Sequence, residues 1–590
     1  MGNWPWRRLR LAGKLARMNE HALREPWPPQ AGPVRVGKSG RDLIRDPLLN
    51  KGTAFAAEER ERFGLHGLLP ARQVSIETQV RRILASLDRA PAPFDQYLKL
   101  SALQDRNETL YYRVLMSDLE RFMPVIYTPT VAEATRNFSQ VYRRARGIWI
   151  TPGFRGHMRQ VLRNAIGGVP VRLIVATDNE SILGIGDQGA GGMAICIGKL
   201  ALYTVAAGIP PVATLPVSLD VGTDNEKLLG DDMYVGWREP RLRGATYDAF
   251  IDEFVDAVAS ELPGALLQWE DLRKDIALKV LDRHRARIPS FNDDIQGTGA
   301  VALAGVLGSR RVTGLGLAEQ RVIVHGAGAA GLGIARQLKA AMRLEGLTEV
   351  QCLERVAALD SRGLLVAGSD LRDDYKRELA WPAELARHHG VVTDADRQLS
   401  NLVRGYRPTV LIGTSGQPGC FTESVVRDMA RSCERPVVMP FSNPSDLSEA
   451  VPADVLRWTD GRALVATGSP FDPVPLAGRT HRVGQGNNVL VFPGLGLGAL
   501  LGGIRRVTDE MLTASAFTLA GQLTADELAG GMLFPSVTRL REISAVVAAA
   551  VIAVDRGAAV TDPPPAALVD AVRQRMWRPE YVGYEKASDD

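Results

Sequence analysis

Between about residues 75 and 145 the apolar positions recur three and four apart, first through Val80, Ile83, Leu84 and Leu87 and then through Leu98, Leu103, Leu110 and Val114. Charged residues fill the gaps, so the spacing predicts amphipathic helices. From about residue 168 the texture changes. Short apolar runs, Val171–Ala176 and Val212–Leu215, alternate with helical stretches, as expected of a parallel sheet. The alternation continues through Val322–Val324, Val356–Leu359, Val410–Ile412, Val437–Met439 and Ala463–Ala466. After about 488 the chain is glycine-rich and apolar, then helical to about 556. The pattern predicts an α/β protein with a helical N-terminal region. The stretch Gly189–Leu219 carries a single charge, Lys199, but Pro210, Pro211 and Pro216 interrupt it. It reads as a buried helix followed by a buried strand, not as a membrane span of about 20 apolar residues.

Composition narrows this picture. The chain has 590 residues, 45% of them hydrophobic, enough for three or four domain-sized units with large cores. Lys and Arg number 71 against 67 Asp and Glu, for a net charge of +4, which excludes a protein built mainly to bind nucleic acid. Four scattered cysteines form neither a disulfide framework nor a zinc-ligand spacing, and a reducing cytoplasm is the expected home. Residues 1–40 stand apart, with Trp4, Trp6 and Trp27, the cations Arg7, Arg8, Arg10 and Lys14, and several prolines. They hold no apolar signal core and read as a flexible basic tail or an oligomer-contact arm. A targeting or membrane-surface role is the alternative.

Two loops match the G-x-G-x-x-G pattern. Gly326, Gly328 and Gly331, with Ala327, Ala329 and Ala330 between them, follow a predicted strand and open a predicted helix. Such glycines permit a tight turn and close approach to a pyrophosphate, whose charge then lies at the helix N-terminus. The next strand ends at Asp360, where a carboxylate can bind a ribose hydroxyl, though the separation exceeds the usual ~20 residues. Asp360 favours NAD, whereas the neighbouring Arg362 favours the 2′-phosphate of NADP; NAD is the expectation, with NADP open. The second match, Gly184 to Gly189, contains Asp187, whose charge would face the phosphates, so it is expected to be a turn beside the active site.

Glu270 and Asp271 end the apolar run Ala265–Trp269, and a second acidic pair, Asp293 and Asp294, follows Phe291-Asn292. Strand ends of this kind are where α/β sites form. Carboxylates from two segments suit Mg²⁺ or Mn²⁺. Adjacent strand residues point to opposite faces, so Glu270 and Asp271 share an ion only if the chain turns there. The alternative is that each pair merely caps an element. Lys199 is the only charge between Gly191 and Gly208. It is either a buried general base or an amine reaching out from the helix edge. Tyr127, alone, reads as a structural tyrosine.

Together these segments resemble the malic enzyme family over about residues 40 to 585. The resemblance is carried by Lys51–Phe55, Gly67–Pro70, Gln104–Glu108, Tyr127–Val131, Ile182–Asp187, Asp220–Asn225, Phe291–Thr298, Ser442–Pro444, Thr467–Phe471, Gly484–Asn488 and Trp577–Tyr581. It implies a helical N-terminal domain (41–145), an α/β catalytic domain in two parts (146–292 and 488–556), an inserted Rossmann-type domain (293–487) and a C-terminal tail (557–590). It implies oxidative decarboxylation of (S)-malate to pyruvate in a homo-oligomer, a dimer or tetramer, without nucleic-acid or membrane partners. Lys199 would then be the general base, Tyr127 the general acid and Asp293 a support for Lys199. Glu270, Asp271 and Asp294 would hold the metal. Asn443, Asn487 and Asn488 would contact malate, Asn443 also lying by the dinucleotide.

One position departs from the family pattern. Where relatives read Glu-Arg-Ile-Leu-Gly, this chain reads Glu180-Ser181-Ile182-Leu183-Gly184. A carboxylate-gripping arginine is replaced by a hydroxyl at Ser181, beside Gly184 in the substrate loop. Arg113 and Arg172 are candidate replacements. A malolactic-type enzyme that retains NAD is the nearest alternative activity, and a weakly active dinucleotide- or metabolite-sensing relative is the alternative of a different class.

Overall fold

A computed structural model describes residues 23–27, 32–182, 184–371 and 373–587. Most of the expected basic tail therefore lies outside the described residues. The described residues form two compact units, 25–265 with 573–587, and 266–572 with Leu23 and Arg24.

In the first unit the predicted helical region is present as Ile76–Leu87, Pro93–Gln104, Glu108–Ser117, Leu119–Ile126 and Thr130–Arg136. Local chemistry sets their starts: Ser75, Asn107 and Asp118 each accept a hydrogen bond from a first-turn amide, which satisfies an otherwise orphaned donor. Three parallel strands follow, in the order Ile148–Ile150, Thr214–Leu219, Leu173–Thr177. The expected strand at 212–215 is displaced. Pro211–Ala213 form a 3-10 turn, and the strand begins at Thr214 and runs to Leu219. Prolines 210 and 211 lack the amides a ladder needs there. The apolar helix Met193–Ala207 is present as expected, and the span Gly189–Ala207 is 94% buried in the protein. Among the described residues it is the one helix long and apolar enough to cross a membrane, and its burial marks it as a core helix. Two parts of the expected tails are ordered: Val34–Val36 pair in parallel with Tyr584–Lys586. Tyr584 packs edge-on to Phe55 and Phe63, which anchors both segments.

The second unit is built on a seven-stranded sheet in the order 484–485, 464–467, 437–440, 410–413, 322–325, 356–360, 363–364. All neighbours are parallel except the last pair. Strand order reverses between Val322–His325 and Val410–Gly413, and α/β sheets bind ligands at the carboxyl ends beside such a switch point. The same unit holds the parallel pair Leu266–Trp269 and Ser290–Asn292. The segments 266–292 and 488–556, expected in the catalytic domain, are thus built into the unit that carries the Rossmann sheet. One reason is visible at the helix Thr298–Thr313, where a Cβ on Gly308 would lie 2.7 Å from the Leu533 carbonyl oxygen and one on Gly305 2.8 Å from the Phe534 ring, so these glycines let the later segment pack closely on that helix. Within the later segment, a Cβ on Gly494 or Gly498 would lie 2.6 or 2.8 Å from Val547 or the Ala548 carbonyl, so these glycines let Phe492–Gly502 lie flat on Leu540–Asp555. All four cysteines are free thiols.

Candidate active site

Leu266–Trp269 is a fully buried strand, and the two residues after it are Glu270 and Asp271. Asp271 adopts φ +52°, the left-handed region, which costs a non-glycine residue on the order of 1–3 kcal/mol. That turn does what a straight strand cannot: it brings consecutive carboxylates to one side. The Asp271 amide donates to Asp294 Oδ2 at 2.8 Å, and Gln268 Nε2 donates to Glu270 Oε2 at 2.7 Å. Asp294 is presented by a single π-helical turn, Asp293–Gly297, capped by Asn292. One oxygen from each of Glu270, Asp271 and Asp294 lies within 4.8 Å of the others. A set of hard carboxylate oxygens at this spacing fits Mg²⁺ or Mn²⁺, and the three expected ligands are brought together.

Asp293, next to Asp294, is fully buried. Asn488 Nδ2 donates to both its backbone oxygen and its Oδ2 at 3.2 Å, and to Thr298 Oγ1 at 3.0 Å. The Asn488 amide nitrogen is therefore held by Asp293 and Thr298. Asn487 caps its own turn through Oδ1 to the Val489 amide. Asn443 accepts a hydrogen bond from the Ser469 hydroxyl.

The first dinucleotide loop is built around absent side chains. Gly326 has φ +122°, and a Cβ there would lie 2.5 Å from the Thr414 backbone. A Cβ on Gly331 would lie 2.0 Å from the Gly326 carbonyl oxygen, while Gly328 faces open space. Ala329 and Ala330 begin the helix Ala329–Leu344, whose N-terminus has no side-chain cap. Gly333, which the motif does not include, lets this helix meet the π-turn: its Cβ would sit 1.9 Å from Ile295 O. Asp360 ends the next strand as expected, but both its oxygens are engaged. Oδ1 accepts from the Arg362 amide and Oδ2 from Lys376 Nζ, each at 2.8 Å. Burial works to raise this carboxyl, but Lys376 and the Arg362 amide outweigh it and hold it below its usual value. The Arg362 guanidinium turns instead to the exposed Asp370 at 3.0 Å. Lys376, not the Arg362 guanidinium, is the cation on Asp360, and no spacing rule pointed to it.

In the other unit Lys199 is 2% and Tyr127 7% exposed. The Lys199 amine lies 5.4 Å from the centre of the Tyr127 ring. Gly198 makes the approach possible, since its Cβ would meet Ile126 O at 2.9 Å and the Tyr127 ring at 3.1 Å. The chain therefore brings the expected base, on the buried helix Met193–Ala207, beside the expected acid, which follows the helix Leu119–Ile126, and the reading of Lys199 as an amine reaching outward is not supported.

The Gly184–Gly189 match is a tight turn, closed by a bridge between Ile182 and Gly186. Its acid, Asp187, takes two hydrogen bonds from Arg241, at 2.6 and 2.7 Å, and two from the amides of Gly189 and Asp224. Burial works to raise Asp187, and the Arg241 guanidinium overcomes it, holding the carboxyl below its usual value. Arg241 was missed because its partners lie 54 and 63 residues away. Beside Ser181 the neighbouring cation is Arg243, clamped on Glu180 and Asp224. The two candidates named from the sequence are engaged elsewhere, Arg113 with Glu77 at 3.5 Å and Arg172 with the Pro26 carbonyl at 2.9 Å.

Comparison with known proteins adds independent findings. Residues 104–285 match the family model for the malic enzyme N-terminal domain, and residues 295–555 that for the malic enzyme NAD-binding domain. The NAD-dependent malic enzyme of Sodalis glossinidius (strain morsitans) is 46% identical over 94% of this chain and 98% of its own. That of Photorhabdus laumondii subsp. laumondii is 45% identical over the same shares. The crystal structure of Entamoeba histolytica malic enzyme is similar with a TM-score of 0.52 and 21% identity, covering 89% of this chain and 92% of that one. At that identity the likeness speaks for the fold.

Proposed function

The chain belongs to the malic enzyme family, and from that premise we propose that it oxidatively decarboxylates (S)-malate to pyruvate and carbon dioxide with reduction of NAD. The observation that carries the reading is the carboxylate set Glu270, Asp271 and Asp294 at the end of a buried strand. The names of its NAD-dependent relatives support NAD over NADP.

When bound, a divalent ion supplies Lewis acidity to the substrate oxygens and NAD accepts the hydride. The protein's own part is proton handling and orientation. Lys199, buried beside Tyr127, is assigned to take the proton of the malate C2 hydroxyl. Tyr127 then gives a proton to C3 of the enolate left after carbon dioxide departs. Gly326, Gly328 and Gly331 with Ala329 and Ala330 seat the pyrophosphate, and Asp360 faces the ribose. Asn443, Asn487, Asn488, Ser181 and Gly184 are assigned to malate. With Ser181 lacking a charge, malate is held by hydrogen bonds and metal, and its KM should be high. A cytoplasmic homo-oligomer belongs to the same proposal.

Purified protein with Mn²⁺, malate and NAD should yield NADH and pyruvate in equal amounts. Lactate without net NADH would replace this reading with the malolactic one. Binding of Mn²⁺, followed by the loss of its free electron-spin-resonance signal, should disappear in Asp294→Asn.

A further inference from the structure

Beyond the groups assigned to malate and dinucleotide, we propose that Glu449 is a positioning residue for the dinucleotide, its buried carboxylate locking together the two loops that leave the strands Val410–Gly413 and Val437–Pro440. The proposal rests on the dinucleotide reading of the Gly326–Gly331 loop.

Glu449 is fully buried. Its Oε1 accepts from the Ser415 amide at 2.7 Å, the Ser415 hydroxyl at 2.9 Å and the Ser442 hydroxyl at 2.6 Å, and its Oε2 accepts from the Ser442 amide at 3.3 Å. All four donors come from loops at the carboxyl ends of strands, one of them beside the switch point. The Ser442 hydroxyl accepts in turn from the Gly416 amide at 2.9 Å, which ties the loops to each other as well. The side chain lies directly over the end of the first of these strands, for a Cβ on Gly413 would be 2.4 Å from Glu449 Cδ.

Each clamped serine adjoins a residue of the proposed site. Thr414, before Ser415, donates its hydroxyl to Gly326 O at 2.9 Å. Asn443 follows Ser442. One carboxylate thus fixes the glycine turn from one side and the asparagine from the other. Stability alone does not call for an acid here, since apolar replacements of buried charge are often neutral or stabilising. What an apolar side chain cannot do is hold two backbone amides and two hydroxyls in fixed directions.

NADH fluorescence and Mn²⁺ binding, measured on the full-length protein, separate positioning from general loosening. Glu449→Ala should weaken NADH binding about tenfold, the loss of one charge-assisted hydrogen bond, with Mn²⁺ affinity unchanged. Glu449→Gln should fall between it and the wild type, because its carbonyl can replace Oε1 while its amino group meets the Ser442 amide donor to donor. If Glu449→Ala does not fold, the pair Ser415→Ala and Ser442→Ala removes two of the donors and is held to the same standard. NADH affinity within about twofold of wild type in these variants, or equal losses of NADH and Mn²⁺, would overturn the clamp. Wild-type protein that binds no NADH would overturn the dinucleotide reading and the clamp with it.

Discussion

The loops Gly326–Gly331 and Gly184–Gly189 share one six-residue pattern and differ in what fills them. In the first, the helix behind the loop starts without a side-chain cap, and Gly328 faces open space. In the second, Asp187 accepts from the Gly189 amide and Tyr234 OH from the Ala190 amide. The protein's own oxygens occupy the donors that a phosphate would otherwise meet. A Cβ on Gly189 would collide with Tyr234 OH at 2.0 Å, so that glycine serves packing, not a ligand. The spacing of glycines therefore fixes a turn, and the residues between them decide whether the turn receives an anion.

The largest effect is expected at the helix that the filled loop introduces and at the tyrosine beside it. Lys199→Ala and Tyr127→Phe should each lower kcat by ~10²-fold or more, the usual scale for acid–base groups; near-normal turnover in both would sink the assignment. Next is the filling itself. Arg241→Ala leaves the half-buried Asp187 without its cation and should cost about 2 kcal/mol in denaturant unfolding, whereas an open loop would tolerate the change. Smaller is the conversion of one loop into the other. Ala329→Asp puts an acid at the position Asp187 holds in the second loop and should weaken NADH binding about tenfold. The melting temperature should not fall, because an acid in a first helical turn is favourable. Smallest is a pH effect. Asp187 titrates lower in the folded than in the unfolded chain, so the unfolded state binds the extra proton. The pair's contribution is complete above about pH 4 and declines as pH falls through the folded value. Arg241→Ala should flatten that acid limb of the stability curve.

Much of the fold was legible because its signals are local. Apolar spacing found the N-terminal helices and each principal strand of the nucleotide-binding sheet to within a residue or two. The short strands Val34–Val36 and Tyr584–Lys586 were not legible, because each is defined by a partner more than 500 residues away. The site divides in the same way. Glu270, Asp271 and Asp294 announce themselves by acid type at a strand end, and Lys199 by being a charge in an apolar helix. Arg241, Lys376 and Glu449 resemble ordinary polar residues until the fold supplies their partners. Asp360 was legible as the end of its strand, but the ammonium that neutralises it was not. Its neutralisation weakens the argument that an acid there must reject a 2′-phosphate, so the NAD to NADP preference is best measured directly, with Lys376→Ala as the variant expected to raise it.

Asp271's left-handed turn has a further consequence. Three anionic oxygens held within 4.8 Å repel one another, and the segment that holds them also carries backbone strain. A divalent counter-charge at that place strengthens the cohesion of the stretch. Amide hydrogen exchange around residues 268–272 and 292–296 should therefore slow when Mn²⁺ is added, so that the ion acts as a mortar between two strand ends as well as a reagent.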